Sequence, residues 1–169
     1  MTLDEVAALE REWLDRQPHG GSLERMHVLN QEMGVYEAGQ AVFVEYVLLA
    51  RRGDIEALKR ALFMYWYSWS EPNELSGLFG LAQDLAAVVL GIVDDMARRG
   101  ELDIELKWML PYYYMIYPLY LDHLWHDKFP NLWKASQTNK KLWQRRGLES
   151  SFDNRGQMGE YWRSIQENC

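Results

Sequence analysis

Cysteine is nearly absent. The chain has one in 169 residues, Cys169, so no internal disulfide can form and no oxidising compartment is called for. There is no G-x-S-x-G elbow to present a serine and no HExxH zinc signature. Gly77-x-x-Gly80 lacks the further glycines and the preceding strand of a dinucleotide loop, and no phosphate loop is present. The opening MTLDEVAALEREWLDR is acidic and amphipathic, without a basic stretch leading into an apolar one, so it does not read as a signal peptide and a cytoplasmic location is expected. Long apolar runs are also missing. Residues 75–93 carry Gln83, Asp84 and three glycines, and the uncharged stretch 108–121 is 14 residues with Pro111 and Pro118 inside it. A spanning helix needs roughly 20 apolar residues, so both runs read as core and no membrane partner is expected.

What is present is ordinary globular composition with one departure. Aromatic residues make up 14%, including eight Trp and ten Tyr. Such side chains combine a large apolar body with a polar handle and serve cores and interfaces alike. The length suits a single domain, 1–169, with a sizeable core.

Periodicity predicts helices throughout. Thr2 and Glu5 have capping-box spacing, and Leu3, Val6, Ala7, Glu10, Trp13 and Leu14 follow a helical period with one polar slip, at Glu10. Gln17-Pro18-His19-Gly20-Gly21 breaks the chain, Ser22 caps a second helix, and Gly34 ends it. Residues 35–52 are apolar nearly all round and close on Arg51-Arg52-Gly53, a helix C-terminal signature. Asp54 caps a helix with Ile55, Leu58, Leu62, Tyr65, Trp66 and Trp69 at three- and four-residue steps and Glu56 and Arg60 spaced to pair. After an interruption at 70–74, another helix is expected to run to about Arg99. A short helix from Asp103 to Leu110 follows, with Pro111 and Pro118 each opening a new piece that reaches Trp125. A polar helix from Asn131 to Arg146 and an irregular C-terminal arm, 147–169, with a short terminal helix near 160–165 complete the chain. The expected fold is all-α, a single-domain bundle of six to eight helices with a Pro-broken central helix.

Three constellations bear on function. His123 and His126, in Asp122-His123-Leu124-Trp125-His126-Asp127, share a helical face as metal ligands must, but no third ligand is spaced to join them. The favoured reading is a pair of helix-end histidines beside acidic neighbours, with His123 and His126 only weak metal candidates. The blocks Phe63, Tyr65, Trp66, Tyr67, Trp69 and Tyr112, Tyr113, Tyr114, Tyr117, Tyr120 point in too many directions for one core-facing stripe. Their helices are either buried all round or contribute rings to a groove.

Charge is unevenly distributed. Up to Asp127 the chain carries 21 acidic and 10 basic residues, a net charge of −11. Lys128, Lys134, Lys140, Lys141, Arg145 and Arg146 then follow with no anion before Glu149, interleaved with Trp133 and Trp143. Cations with aromatics are the footprint of a single-strand nucleic-acid binder. A basic segment packed on an acidic body gives the same pattern, and at an isoelectric point near 5.1 nucleic acid is not the expected partner.

The reading these features favour is a non-enzymatic protein-binding protein. Concretely, it would be a bacterial immunity protein or antitoxin that neutralises a basic toxin, since acidity speeds encounter with a basic partner. Expected contact residues are Trp69, Glu71 and Glu74, and a second acidic set, Glu101, Asp103 and Glu105, of which Glu101 and Glu105 should share an exposed helical face. No cofactor is expected. The alternatives are a helical metal- or cofactor-binding enzyme using His123 and His126, and a nucleic-acid binder through 128–146.

Overall fold

A computed structural model describes residues 1–138 and 151–168, apart from the side chains of Tyr120 and Asn168. Described residues form ten helices and no strand: α1 (Leu3–Arg16), α2 (Leu23–Glu32), α3 (Val35–Arg51), α4 (Ile55–Ser70), α5 (Asn73–Ser76), α6 (Gln83–Arg99), α7 (Ile104–Ile116), α8 (Pro118–Trp125), α9 (Pro130–Gln137) and α10 (Gly156–Asn168). The fold is an all-α bundle, and no helix among these residues is long and apolar enough to cross a membrane.

Caps place most boundaries where the sequence puts them. Thr2 and Glu5 close a reciprocal capping box on α1, and Ser22, Asp54 and Asp103 accept from the backbone amides of Arg25, Ala57 and Leu106. Gly34, at φ +65°, turns α2 into α3 in a conformation that side chains with a Cβ resist.

Helix number and several limits differ from expectation, for local reasons. The helix expected after residue 74 is split, because Gly77 and Gly80 both adopt positive φ and separate α5 from α6. Pro118 does open a helix, but Pro111 sits inside α7. It is buried, flanked by buried Leu110 and Tyr112, and core packing there outweighs the hydrogen bond it cannot donate. The break falls instead at Tyr117, which the following proline biases away from helical geometry. α9 stops at Gln137, and the remainder of the polar helix expected up to Arg146 lies outside the described residues. The terminal helix begins at Gly156, four residues before 160, shortening the irregular arm.

α4 is the hub. Every residue from Ala57 to Trp66 is buried, so this helix is enclosed on all sides, with α3, α6, α7 and α10 packed around it. Enclosure takes Lys59 and Arg60 inside as well. α1 crosses α3 closely at Gly39, where a Cβ would lie 2.9 Å from the Trp13 ring. α10 inserts Trp162 against Trp108, with ring centroids 4.5 Å apart, and against Tyr112 and Tyr113.

The buried cations are satisfied by a continuous polar network. Glu10, 1% exposed, accepts from the Tyr46 hydroxyl at 2.6 Å, from Arg60 at 3.1 Å and from the Gln157 amide at 3.1 Å. Arg60 also donates to Glu56 at 2.8 Å and to the Asn154 carbonyl at 3.2 Å. Arg155 bridges Glu56 and Glu105, and Lys59 joins Glu105 at 2.6 Å to Asp103 at 2.5 Å. Four carboxylates and three cations thus tie α1, α3, α4 and α7 to the start of α10. Removing one partner from a buried pair leaves an uncompensated charge.

Arg60→Ala is expected to cost about 3–5 kcal/mol in urea unfolding. Glu12→Ala, which removes an exposed pair with Arg16 at 3.8 Å, should cost below about 0.5 kcal/mol.

Burial pushes the Glu10 carboxyl above its ordinary 4.5, and the Tyr46 hydrogen bond, the Arg60 charge and the Gln157 amide offset only part of that rise. A carboxyl raised by folding binds its proton more tightly in the native state. Its contribution to stability is therefore lost as pH climbs from 4.5 through the raised value. The difference in unfolding free energy, wild type minus Glu10→Gln, should fall across that window. A difference that grows with pH would mean that the hydrogen bonds outweigh burial.

Candidate partner-binding face

The two acidic sets singled out in the sequence lie at opposite ends of α4. Lys59 touches Asp103 and Glu105, while Trp69 is ten residues further on, about 15 Å along the axis at 1.5 Å per residue.

At the Lys59 end the carboxylates are occupied. Asp103 caps α7 and pairs with Lys59. Glu105 is held by Lys59 and Arg155, with its side chain only 12% exposed. Glu101 lies before α7, outside any helix, and is paired with Arg99 at 2.8 Å. The expectation that Glu101 and Glu105 share an exposed helical face is therefore corrected. The buried Lys59 and Arg155 draw Glu105 inward, and Asp103 starts the helix only after Glu101. Asp94 and Asp95 are similarly employed: Asp94 accepts the Asn131 and Leu132 amides of α9 at 2.7 and 2.8 Å, a cap supplied from α6, and Asp95 pairs with Arg98 and Arg99.

The Trp69 end is different. Trp69, Leu75 and Phe79 are 41%, 47% and 50% exposed; they belong to the last turn of α4, to α5 and to the loop before α6. A cleft of about 240 Å³ opens here, lined by Ser68, Trp69, Asn73, Leu78, Phe79, Gly80, Leu81 and Gln83. The Glu71 carboxylate, at the C-cap of α4, makes no hydrogen bond or ion pair among the described residues. Together with burial, its charge and that of Glu160 push the neighbouring Tyr67 hydroxyl up to about 12. Glu74 stands 3.4 Å from His27, and its carbonyl accepts from buried Asn30 at 3.1 Å, fixing α5 to α2. Tyr36 stacks obliquely between His27 and Phe79, so the exposed ring rests on a supported base.

The aromatic blocks divide between core and surface. Phe63, Tyr65, Trp66, Tyr112 and Tyr113 are buried, with Trp66 stacked on Tyr113 at 4.6 Å and donating to its carbonyl at 3.2 Å. Tyr112 and Tyr161 share a hydroxyl–hydroxyl bond of 2.7 Å. Tyr114 and Trp133 both donate to Asp122 at 2.7 Å, locking α7, α8 and α9 together. Beyond Tyr114 the chain emerges, and Leu119 is 86% exposed.

His123 and His126 are exposed, and among the described residues His126 meets Asp127 at 2.8 Å and the Trp133 ring edge. Among the described residues no group of three His, Cys, Asp or Glu side chains could hold a metal ion. Of the basic segment, Lys128 and Lys134 are exposed, and Lys140, Lys141, Trp143, Arg145 and Arg146 lie outside the described residues.

No protein-family model matches the chain, and no curated protein or solved structure shows significant similarity to it.

Trp66 and Trp69 stand three residues apart yet should respond oppositely. Trp66→Ala is expected to cost about 3–5 kcal/mol in chemical unfolding, and Trp69→Ala less than about 1 kcal/mol. Equal costs would place Trp69 in the core.

Proposed function

We propose that this chain is a non-enzymatic protein-binding protein whose partner is basic, acting as a bacterial immunity protein or antitoxin acts on a toxin such as a nuclease. A cytoplasmic location belongs to the same proposal. The observation that carries it is the face around Trp69. Trp69 and Phe79 are exposed there and line a cleft, with Glu71 and Glu74 close by in the chain, on a protein of net charge −7. A central aromatic anchor with an acidic margin is how a surface recognises a cationic partner. Internal neutralisation at the other end of α4 favours this face over the Glu101–Glu105 set, because carboxylates already paired with Lys59 and Arg155 offer a partner little free charge.

Tagged wild-type protein and a Trp69→Ala, Glu71→Lys, Glu74→Lys variant should be compared in capture from the native host at low salt, with the captured protein then purified and its binding remeasured. The wild type is expected to hold a basic protein that dissociates as salt rises, and the variant to lose it. Glu101→Lys should leave binding intact. Equal retention by the triple variant, or absence of any partner, counts against the reading.

A further inference from the structure

We propose that the groove between α1 and α3 docks a basic amphipathic helix of a partner protein. The groove shares no residue with the cleft at Trp69, and the inference does not depend on what that face binds. Met1 and Leu9 line one side of it and Glu37, Ala41, Val44 and Glu45 of α3 the other, around a volume of about 580 Å³.

The register of α3 turns these residues outward together. Glu37, Ala41 and Val44 follow at four- and three-residue steps, with Glu45 a full two turns from Glu37, so all four share one face. Val42, Phe43, Tyr46 and Val47 of the same helix point into the core. Glu37 and Ala41 are exposed, and Val44 and Glu45 are half-buried. Met1 and Leu9 are exposed as well. Apolar side chains thus lie between two carboxylates that stand about 12 Å apart along the helix axis. Neither Glu37 nor Glu45 has a hydrogen-bond or ion-pair partner among the described residues. No Lys or Arg lines the groove.

These features select the occupant. The groove is shallow, because Met1, Leu9 and Ala41 remain exposed, and a small molecule would keep much of its surface in water. A helix, about 10–12 Å across with its side chains, can lie along it and cover its length. Such a helix satisfies its own backbone. An extended segment pairs best with a sheet edge, and the described residues form no strand. Apolar residues of the partner at i, i+4 and i+7 meet Leu9, Ala41 and Val44, and Lys or Arg two turns apart meet Glu37 and Glu45. A helix without cations would strip water from both carboxylates and leave them unanswered. An acidic one would be repelled.

The test uses the full-length ¹⁵N-labelled protein, followed by NMR, and a synthetic helical peptide of about 16 residues, long enough to hold a helix. It carries leucines at i, i+4 and i+7 and lysines two turns apart beside them; a second peptide has glutamates in place of the lysines. The basic peptide should shift the backbone amides of Leu9, Ala41 and Val44 saturably, with a Kd of about 100 µM. A Glu37→Lys, Glu45→Lys variant should weaken it about tenfold, and Leu9→Gln, which leaves the charge unchanged, about fivefold. A variant of matched charge on α10, Glu160→Lys, Glu167→Lys, should stay within about twofold of wild type. Equal binding of the acidic peptide, equal weakening by the α10 variant, or no saturable shift at Leu9, Ala41 and Val44 overturns the proposal. So does sedimentation showing self-association that these substitutions abolish, because a second copy then covers the groove. Failure here leaves the Trp69 reading standing, since the capture variant at that face alters none of these residues.

Discussion

One buried carboxylate constrains much of this fold. Glu10 projects from α1 into the interior, where it is 1% exposed, and a charge so placed is tolerated only when donors surround it. Tyr46 from α3, Arg60 from α4 and the Gln157 amide of α10 supply them. The last of these joins residues 147 positions apart, so the same contact that satisfies Glu10 closes the chain on itself. It also occupies the N-terminal end of α10, where a carboxylate is favoured by free amides and the helix dipole. Gly156 has φ +57° and lies directly against Glu10, leaving no room for a Cβ. Backbone conformation and electrostatics therefore impose the same requirement at this point.

From Glu10 the network extends through Arg60, Glu56 and Arg155 to Glu105, Lys59 and Asp103. This gives the two ends of α4 different characters. Around Lys59 and Arg60 acids and bases neutralise one another inside the protein. Around Trp69 the helix emerges, and Trp69 and Phe79 line a small exposed cleft. A surface that exposes large apolar groups beside a cleft is where a partner gains most from contact. The functional proposal follows from this asymmetry, with no enzyme-like cluster needed to support it.

Local chemistry was legible in the sequence; long-range chemistry was not. Thr2, Ser22, Asp54 and Asp103 act as the caps their positions imply, because capping is decided within a few residues. Glu71 and Glu74 follow Trp69 closely in the chain, at the C-cap of α4 and in α5, so their nearness in sequence is plain. The exposure of Leu75 and Phe79 is not, because a continuous helix through 75–93 would have buried them, and the splitting depends on Gly77 and Gly80 taking positive φ. Glu105 looked like a surface charge, since its partners Lys59 and Arg155 lie 46 and 50 residues away. Pro111 reads as a break in the sequence, because the packing that overrides it is tertiary. The most informative signal was the single polar residue on the apolar face of α1. Glu10 interrupts the period because it faces the core as a charge, and a carboxylate at such a position implies a buried cation elsewhere.

The claim that α10 is secured by Glu10 can be tested by native-state hydrogen exchange at the Gln157 amide. If the Glu10 contact is part of the cooperative core, this amide should exchange only through global unfolding, with the same protection free energy as the slowest amides of α4. Exchange at the rate of an open loop, while α4 remains fully protected, would contradict the account.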